Sequence, residues 1–237
     1  MSIITDTVKI PAHDGGAFAA YVARPDTEDD VPGIAVIQEI FGINADMRAK
    51  CDELAAQGYL AVCPDLFWRI EEGVDLVDSD PKQLERAFEL FGLFNELQGL
   101  DDLKTTLGYV RHHGSCNEKV GTLGYCLGGK LAYMMACHSD ADANVAYYGV
   151  TIDTILFESE GIDTPLLMHM AEKDEFVDAE AQGKIKSHFE NRNLVTIHSY
   201  AGMDHAFARE NGMHFDKDAA ELANGRTAEF LKTHLAA

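Results

Sequence analysis

Lys119-Val120-Gly121-Thr122-Leu123-Gly124-Tyr125-Cys126-Leu127-Gly128-Gly129 is the stretch on which the fold turns. Val120 to Gly124 has the short apolar character of a strand buried on both faces, and Leu127 to His138 has helical periodicity. Gly124-Tyr125-Cys126-Leu127-Gly128 therefore sits at a strand-to-helix junction. A turn that sharp forces its central residue into a strained conformation. Glycines two before and two after it remove side chains that would strike the neighbouring strand and helix. At the start of a helix the backbone N–H groups and the dipole favour a thiolate, and the Leu127 N–H is placed to donate to a developing oxyanion. A G-x-C-x-G string also arises by chance, so the competing reading is a buried, inert cysteine at a tight turn.

Working outward, Thr5 to Ile10 and Ala17 to Ala23 alternate on either side of Asp14-Gly15-Gly16 and predict an opening antiparallel hairpin. Further apolar runs predict strands at Ile34 to Ile37, Leu60 to Cys63, Asn144 to Tyr148, Leu166 to Met170 and Val195 to Tyr200. Helical periodicity marks Ala45 to Gln57, Pro81 to Asn95, Leu100 to His112, Ala179 to Asn191 and Asp216 to His234. Strands alternating with helices give an α/β class: a mostly parallel, twisted sheet with helices on both faces behind the N-terminal hairpin. No repeat or proline-rich linker divides the chain, so one domain over residues 1–237 is expected. Chemistry in such sheets gathers beyond the carboxyl ends of the strands.

The totals narrow the function. Lys and Arg number 19 against 40 Asp and Glu, a net charge of −21, which argues against nucleic acid because a polyanion needs a basic face. The acidity fits either solubility tuning, for instance in a salty cytoplasm, or an ordinary acidic enzyme. Apolar runs such as Gly33 to Ile37 are far too short to cross a bilayer, and Met1 to Ile10 lacks a signal pattern, so a cytoplasmic protein with no membrane partner is expected. The five cysteines (Cys51, Cys63, Cys116, Cys126, Cys137) form no dense disulfide pattern and leave at least one thiol free. No His or Cys cluster has metal-ligand spacing, so neither metal nor organic cofactor is expected.

A cysteine nucleophile needs a base, and the base needs an orienting acid. Leu166 to Met170 runs into Ala171-Glu172-Lys173-Asp174, which puts Asp174 just past a strand, and Ala201-Gly202-Met203-Asp204-His205 puts His205 in the loop after the next one. Nucleophile, acid and histidine then follow the chain order usual for a nucleophile at this kind of turn. On position alone Glu172, Asp178 and Asp204 compete with Asp174, while histidines such as His112, His113, His138 and His234 lie on solvated helix faces or ends.

The chain resembles the dienelactone hydrolases (carboxymethylenebutenolidases) of the α/β-hydrolase superfamily, nearly from end to end. The resemblance is carried by Gln38-Glu39-Ile40-Phe41-Gly42, Pro64-Asp65-Leu66-Phe67, Lys119-Val120-Gly121, Gly124 to Gly129, Tyr147-Tyr148-Gly149 and Asp204-His205-Ala206-Phe207-Ala208-Arg209. It implies Cys126 as nucleophile, His205 as base and Asp174 as acid, in agreement with the reading from the residues. It further implies that Glu39 contacts the resting thiol, that the Ile40 N–H joins that of Leu127 in an oxyanion hole, and that Arg209 binds a substrate carboxylate. A plain salt-bridged loop acid is the alternative for Glu39, and a surface arginine for Arg209. Phe41, Tyr125, Phe88, Phe91 and Tyr147 are the remaining residues expected to contact the substrate.

One position departs from the family pattern. Leu84 stands where a second carboxylate-binding arginine belongs, and Arg86, two residues on, points elsewhere on a helix. Either the helix is shifted, or a neutral wall there favours a more apolar substrate, with Phe88, Phe91 and Trp68 contributing. The activity implied is cysteine-dependent opening of an ester or lactone, 4-carboxymethylenebut-2-en-4-olide to maleylacetate, by a monomer or weak homodimer. A promiscuous short-chain carboxylesterase and a non-catalytic carboxylate-binding protein are the alternatives.

Overall fold

The computed structural model describes residues 2–236, and eight strands form one sheet in the order β1-β2-β4-β3-β5-β6-β7-β8. The hairpin β1 (Ile3–Pro11) and β2 (Ala17–Pro25) is antiparallel, and β2 pairs antiparallel with β4 (Leu60–Pro64). From β4 onward through β3 (Val31–Ile37), β5 (Cys116–Tyr125), β6 (Ala143–Tyr147), β7 (Leu166–Ala171) and β8 (Val195–Tyr200) every pairing is parallel. This is the α/β class expected from the alternation of strands and helices. Its centre is apolar for the usual reason: β4, β6 and β7 are buried at every position, which their unbroken apolar runs require.

Six helices connect and cover the strands. All but the helix that follows Cys126 start at a polar cap, where a strand or loop gives way to helical periodicity. Asn44 caps α1 (Ala45–Ala56), Asp80 followed by Pro81 opens α2 (Pro81–Leu93), Asp178 caps α5 (Ala179–Phe189) and Asp216 caps α6 (Lys217–Leu235). The helix α1 packs on β2 and β4 and α6 on β5 to β7, whereas α4 (Leu127–His138) packs beside α3 (Glu96–Arg111) and the 3₁₀ turn at Leu156–Gly161.

The boundaries that differ most from expectation are the starts of α3 and β5. The helix α3 (Glu96–Arg111) begins before Leu100 because the Asn95 side chain accepts from the N–H groups of Leu97 and Gln98 at 3.1 and 3.2 Å. Gly99 does not break it, since the missing side chain makes room for the Phe94 ring: a Cβ there would lie 2.3 Å from it. The strand β5 begins at Cys116 rather than Val120, because an irregularity between Val31 and Gly33 lets its first residues pair with β3 in a shifted register. No described helix is long and apolar enough to cross a membrane.

Candidate active site

Cys126 lies between β5 and α4 with φ 56° and ψ −114°, a positive φ that a side chain seldom adopts. The turn is held from both sides. The Cys126 N–H donates to Tyr147 O at 3.1 Å, and Lys130 N donates to Cys126 O at 3.1 Å as the first helical bond. A Cβ on Gly124 would sit 1.9 Å from Gly128 O, and one on Gly128 would sit 2.3 Å from Ile37 O, so the two glycines are required by contact with backbone that cannot move aside. The strain at the centre, about 1–3 kcal/mol for such a conformation, is imposed by packing around it.

The histidine arrives from the other end of the sheet. His205 follows β8, and its Nδ1 lies 2.8 Å from Asp174 Oδ2 on the loop after β7; both side chains are buried. Asp174 is itself steadied by the Phe176 N–H, which donates to Oδ1 at 2.9 Å. Phe176 and Tyr148 stand edge-on to the imidazole at 4.8 and 5.0 Å between ring centres, fixing its plane. With Nδ1 engaged, Nε2 is buried and has no protein partner among the described residues, and it shares a cavity with Cys126. Burial alone would lower the His205 pKa, but its interaction with the Cys126 sulfur, together with the Asp174 bond and charge, outweighs it and pushes the value up to about 10. Of the acids left open by the sequence, Asp174 is the one bonded to the histidine.

The backbone N–H groups of Ile40 and Leu127 are spent on no backbone carbonyl among the described residues, and both residues adjoin Cys126, Leu127 in sequence and Ile40 along the cavity wall. The loop after β3 that carries Ile40 is tied down by Gln38, whose Oε1 accepts from Leu66 N at 3.1 Å and whose Nε2 donates to Glu39 O at 3.3 Å.

Glu39 is where the structure departs from the expected arrangement. Its carboxylate accepts from Arg209 Nε at 2.6 Å and from Arg209 Nη2 at 3.0 Å, and no hydrogen bond joins it to the Cys126 sulfur among the described residues. The salt-bridged reading of Glu39 is the one that fits, because a fork of two donors outcompetes a thiol for two carboxylate oxygens. Arg209 is likewise no surface arginine. It is 6% exposed, its guanidinium lies 4.7 Å from the centre of the Phe41 ring, and Nη1 donates to Asp78 Oδ2 at 2.5 Å.

A cavity of about 430 Å³ opens over Cys126 and His205, walled by Phe41, Leu84, Phe88, Phe91 and Phe176. Leu84 faces this space, whereas Arg86 is on the outside, paired with Glu71 and Glu89 at 2.6 and 2.7 Å. The helix is therefore not shifted to bring Arg86 in, and the wall is apolar.

Three aromatic expectations need correction. Tyr125 and Tyr147 do not line the cavity. They are register partners on β5 and β6, their rings pack 4.7 Å apart, Tyr125 lies under the Lys50 ammonium, and the Tyr147 hydroxyl bonds Thr227 at 2.6 Å and Asn224 at 3.0 Å. Alternation explains it: the residue before Cys126 points to the opposite face of the sheet, toward α1 and α6. Trp68 is also elsewhere, donating to Asp102 at 2.9 Å. Conversely, Asp78, Phe176 and Met213 belong to the cavity without any sequence signal. The five cysteines are all unpaired and buried.

Comparison with known proteins agrees with this geometry. The model of the Dienelactone hydrolase family matches residues 18–235. The chain is 51% identical over 229 residues to the "Putative carboxymethylenebutenolidase" of Azospirillum brasilense, covering 96% of this chain and 98% of that protein. It is 39% identical to the carboxymethylenebutenolidase of Pseudomonas putida, covering 97% of each. Among solved structures, a "Putative Dienelactone Hydrolase" from Klebsiella pneumoniae superposes with a TM-score of 0.85 at 25% identity, over 97% of this chain and 98% of that one. With the α/β-hydrolase sheet, the elbow and nearly the full length in common, the chain belongs to the dienelactone hydrolase family and is a dienelactone hydrolase-like hydrolase.

Proposed function

We propose that the chain hydrolyses carboxylic esters or lactones by covalent catalysis at Cys126. The observation that carries this reading is the buried Nε2 of His205, which has no hydrogen-bond partner among the described residues, in one cavity with a cysteine on a strained elbow while Nδ1 is held by Asp174 at 2.8 Å. The sulfur attacks the carbonyl carbon, and the oxyanion is met by the N–H groups of Leu127 and Ile40. Imidazolium His205 gives its proton to the leaving alkoxide as the C–O bond breaks, leaving a thioester on Cys126. Water, deprotonated by His205, then attacks the thioester, the C–S bond breaks, the acid departs and the sulfur leaves as a thiolate beside the imidazolium that now holds the proton of the water. Asp174 keeps Nδ1 protonated throughout, so that Nε2 is the nitrogen that exchanges.

Two substrate readings follow from different observations. The names of the Azospirillum and Pseudomonas relatives point to 4-carboxymethylenebut-2-en-4-olide, opened to maleylacetate. The Leu84 wall and the occupied Arg209 favour an uncharged short-chain ester. A purely carboxylate-binding role fits poorly with an arginine already held by two carboxylates. A panel of lactones and esters read by turnover and intact mass tests the proposal: an acyl adduct that maps to Cys126 supports it, and turnover that survives alkylation of Cys126 sinks it.

A further inference from the structure

Arg209 is the one arginine among the described residues of the cavity wall, and three of its five N–H donors are held by carboxylates. A guanidinium offers two edges on which a carboxylate can sit bidentately. The Nε and Nη2 edge is filled by Glu39 at 2.6 and 3.0 Å, and Nη1 on the other edge donates to Asp78 at 2.5 Å. All three side chains are buried, so the contacts are not loosened by water: exposures are 1% for Glu39, 8% for Asp78 and 6% for Arg209. Asp78 is anchored independently of the arginine, since the Met213 N–H also donates to it at 3.3 Å. One positive charge thus faces two negative ones, and the cluster presents a net negative charge to the substrate.

The other charges lining the cavity do not reverse this. His205 is bonded to Asp174, Glu175 is a further acid, and His214 is half-exposed and 3.8 Å from Asp204. The rest of the wall is apolar, with Leu84, Phe88, Phe91 and Phe176 facing the space above Cys126. A carboxylate entering here would leave water for a guanidinium whose charge Glu39 and Asp78 already balance, and would meet Asp78 at close range.

We propose that Asp78 determines specificity by occupying the edge of Arg209 that Glu39 leaves open, so that the site takes uncharged, apolar acyl esters and rejects acyl chains that end in a carboxylate. This deepens the ester-hydrolase reading and rests on it. Specificity of this kind comes from a repulsive element as much as from an attractive one.

The test compares two aryl esters of equal acyl length, 4-nitrophenyl pentanoate and mono-4-nitrophenyl glutarate, on the full-length protein. Wild type is expected to favour the pentanoate by roughly 30-fold or more in kcat/KM. Asp78→Asn should narrow that ratio at least about tenfold, chiefly by lowering KM for the glutarate ester. Leu84→Arg, which leaves the buried cluster intact, should narrow it as well by adding an unpaired cation to the wall. A wild type that turns over the glutarate ester as well as the pentanoate overturns the proposal, as does an unchanged ratio in an Asp78→Asn protein with a cooperative unfolding transition. Should that variant not fold, an unchanged ratio in Leu84→Arg overturns the proposal in its place. Absence of turnover of both esters, with no acyl adduct on Cys126, sinks the hydrolase reading itself and the specificity proposal with it.

Discussion

Asp174 and His205 are joined by a 2.8 Å bond between two buried side chains that come from loops after neighbouring strands. The sheet therefore sets which nitrogen of the histidine faces the sulfur. Asp174→Asn keeps the shape but accepts or donates on the wrong terms, so the tautomer with Nε2 free to take a proton is no longer enforced. Steady-state kinetics should show kcat lowered about 10³-fold with KM little changed. A loss below threefold would mean that another group orients the ring.

Replacing the sulfur by oxygen tests the nucleophile directly. Cys126→Ser should lower kcat/KM by at least ~100-fold if the proposed covalent route holds, because a hydroxyl is a far weaker nucleophile than a thiol at its free pKa. The unfolding temperature should be close to that of wild type, since the side chain is small and the strain is borne by the backbone. Full activity in the serine variant would contradict the covalent route.

The raised pKa of His205 has a consequence for stability as well as catalysis. The folded value is about 10, above the ordinary 6.5, so the imidazolium stabilises the fold fully below about pH 6.5 and loses that contribution as pH climbs toward 10. The contribution is on the order of a few kcal/mol at most. Melting curves from pH 6 to 10.5 should show the gap between wild type and His205→Gln closing toward the alkaline end. A gap that is constant with pH would remove the charged histidine from the resting state.

Gly124 and Gly128 make a prediction about folding. Gly124→Ala places a methyl group 1.9 Å from Gly128 O, and neither partner can retreat without breaking the strand or the helix. Destabilisation of about 3 kcal/mol or more is expected, read by chemical denaturation or by loss of soluble protein. Gly108→Ala is the control, because nothing lies within 4 Å of its added carbon.

The eight strands and six helices were legible because each carries its own local signature: an apolar run, a helical stripe, a cap. The elbow was legible for the same reason, since Gly124, Cys126 and Gly128 lie within one turn. The direction of Tyr125 and Tyr147 is also written in strand alternation, but proximity in sequence to the nucleophile suggested otherwise. The Arg209 cluster was only half visible. Its partners are 170 and 131 residues away, and in a chain with 40 acids nothing local distinguishes Asp78 from the neighbouring Asp80, which caps α2.

The unequal surroundings of the five thiols bear on how the protein is handled at the bench. Cys51, Cys116 and Cys137 are pushed upward in pKa by burial and Cys63 is fully enclosed, while Cys126 alone opens on the large cavity. A mild electrophile at neutral pH should therefore label one sulfur per polypeptide. That stoichiometry turns a simple modification assay into a count of competent molecules in a preparation, against which any turnover number can be normalised.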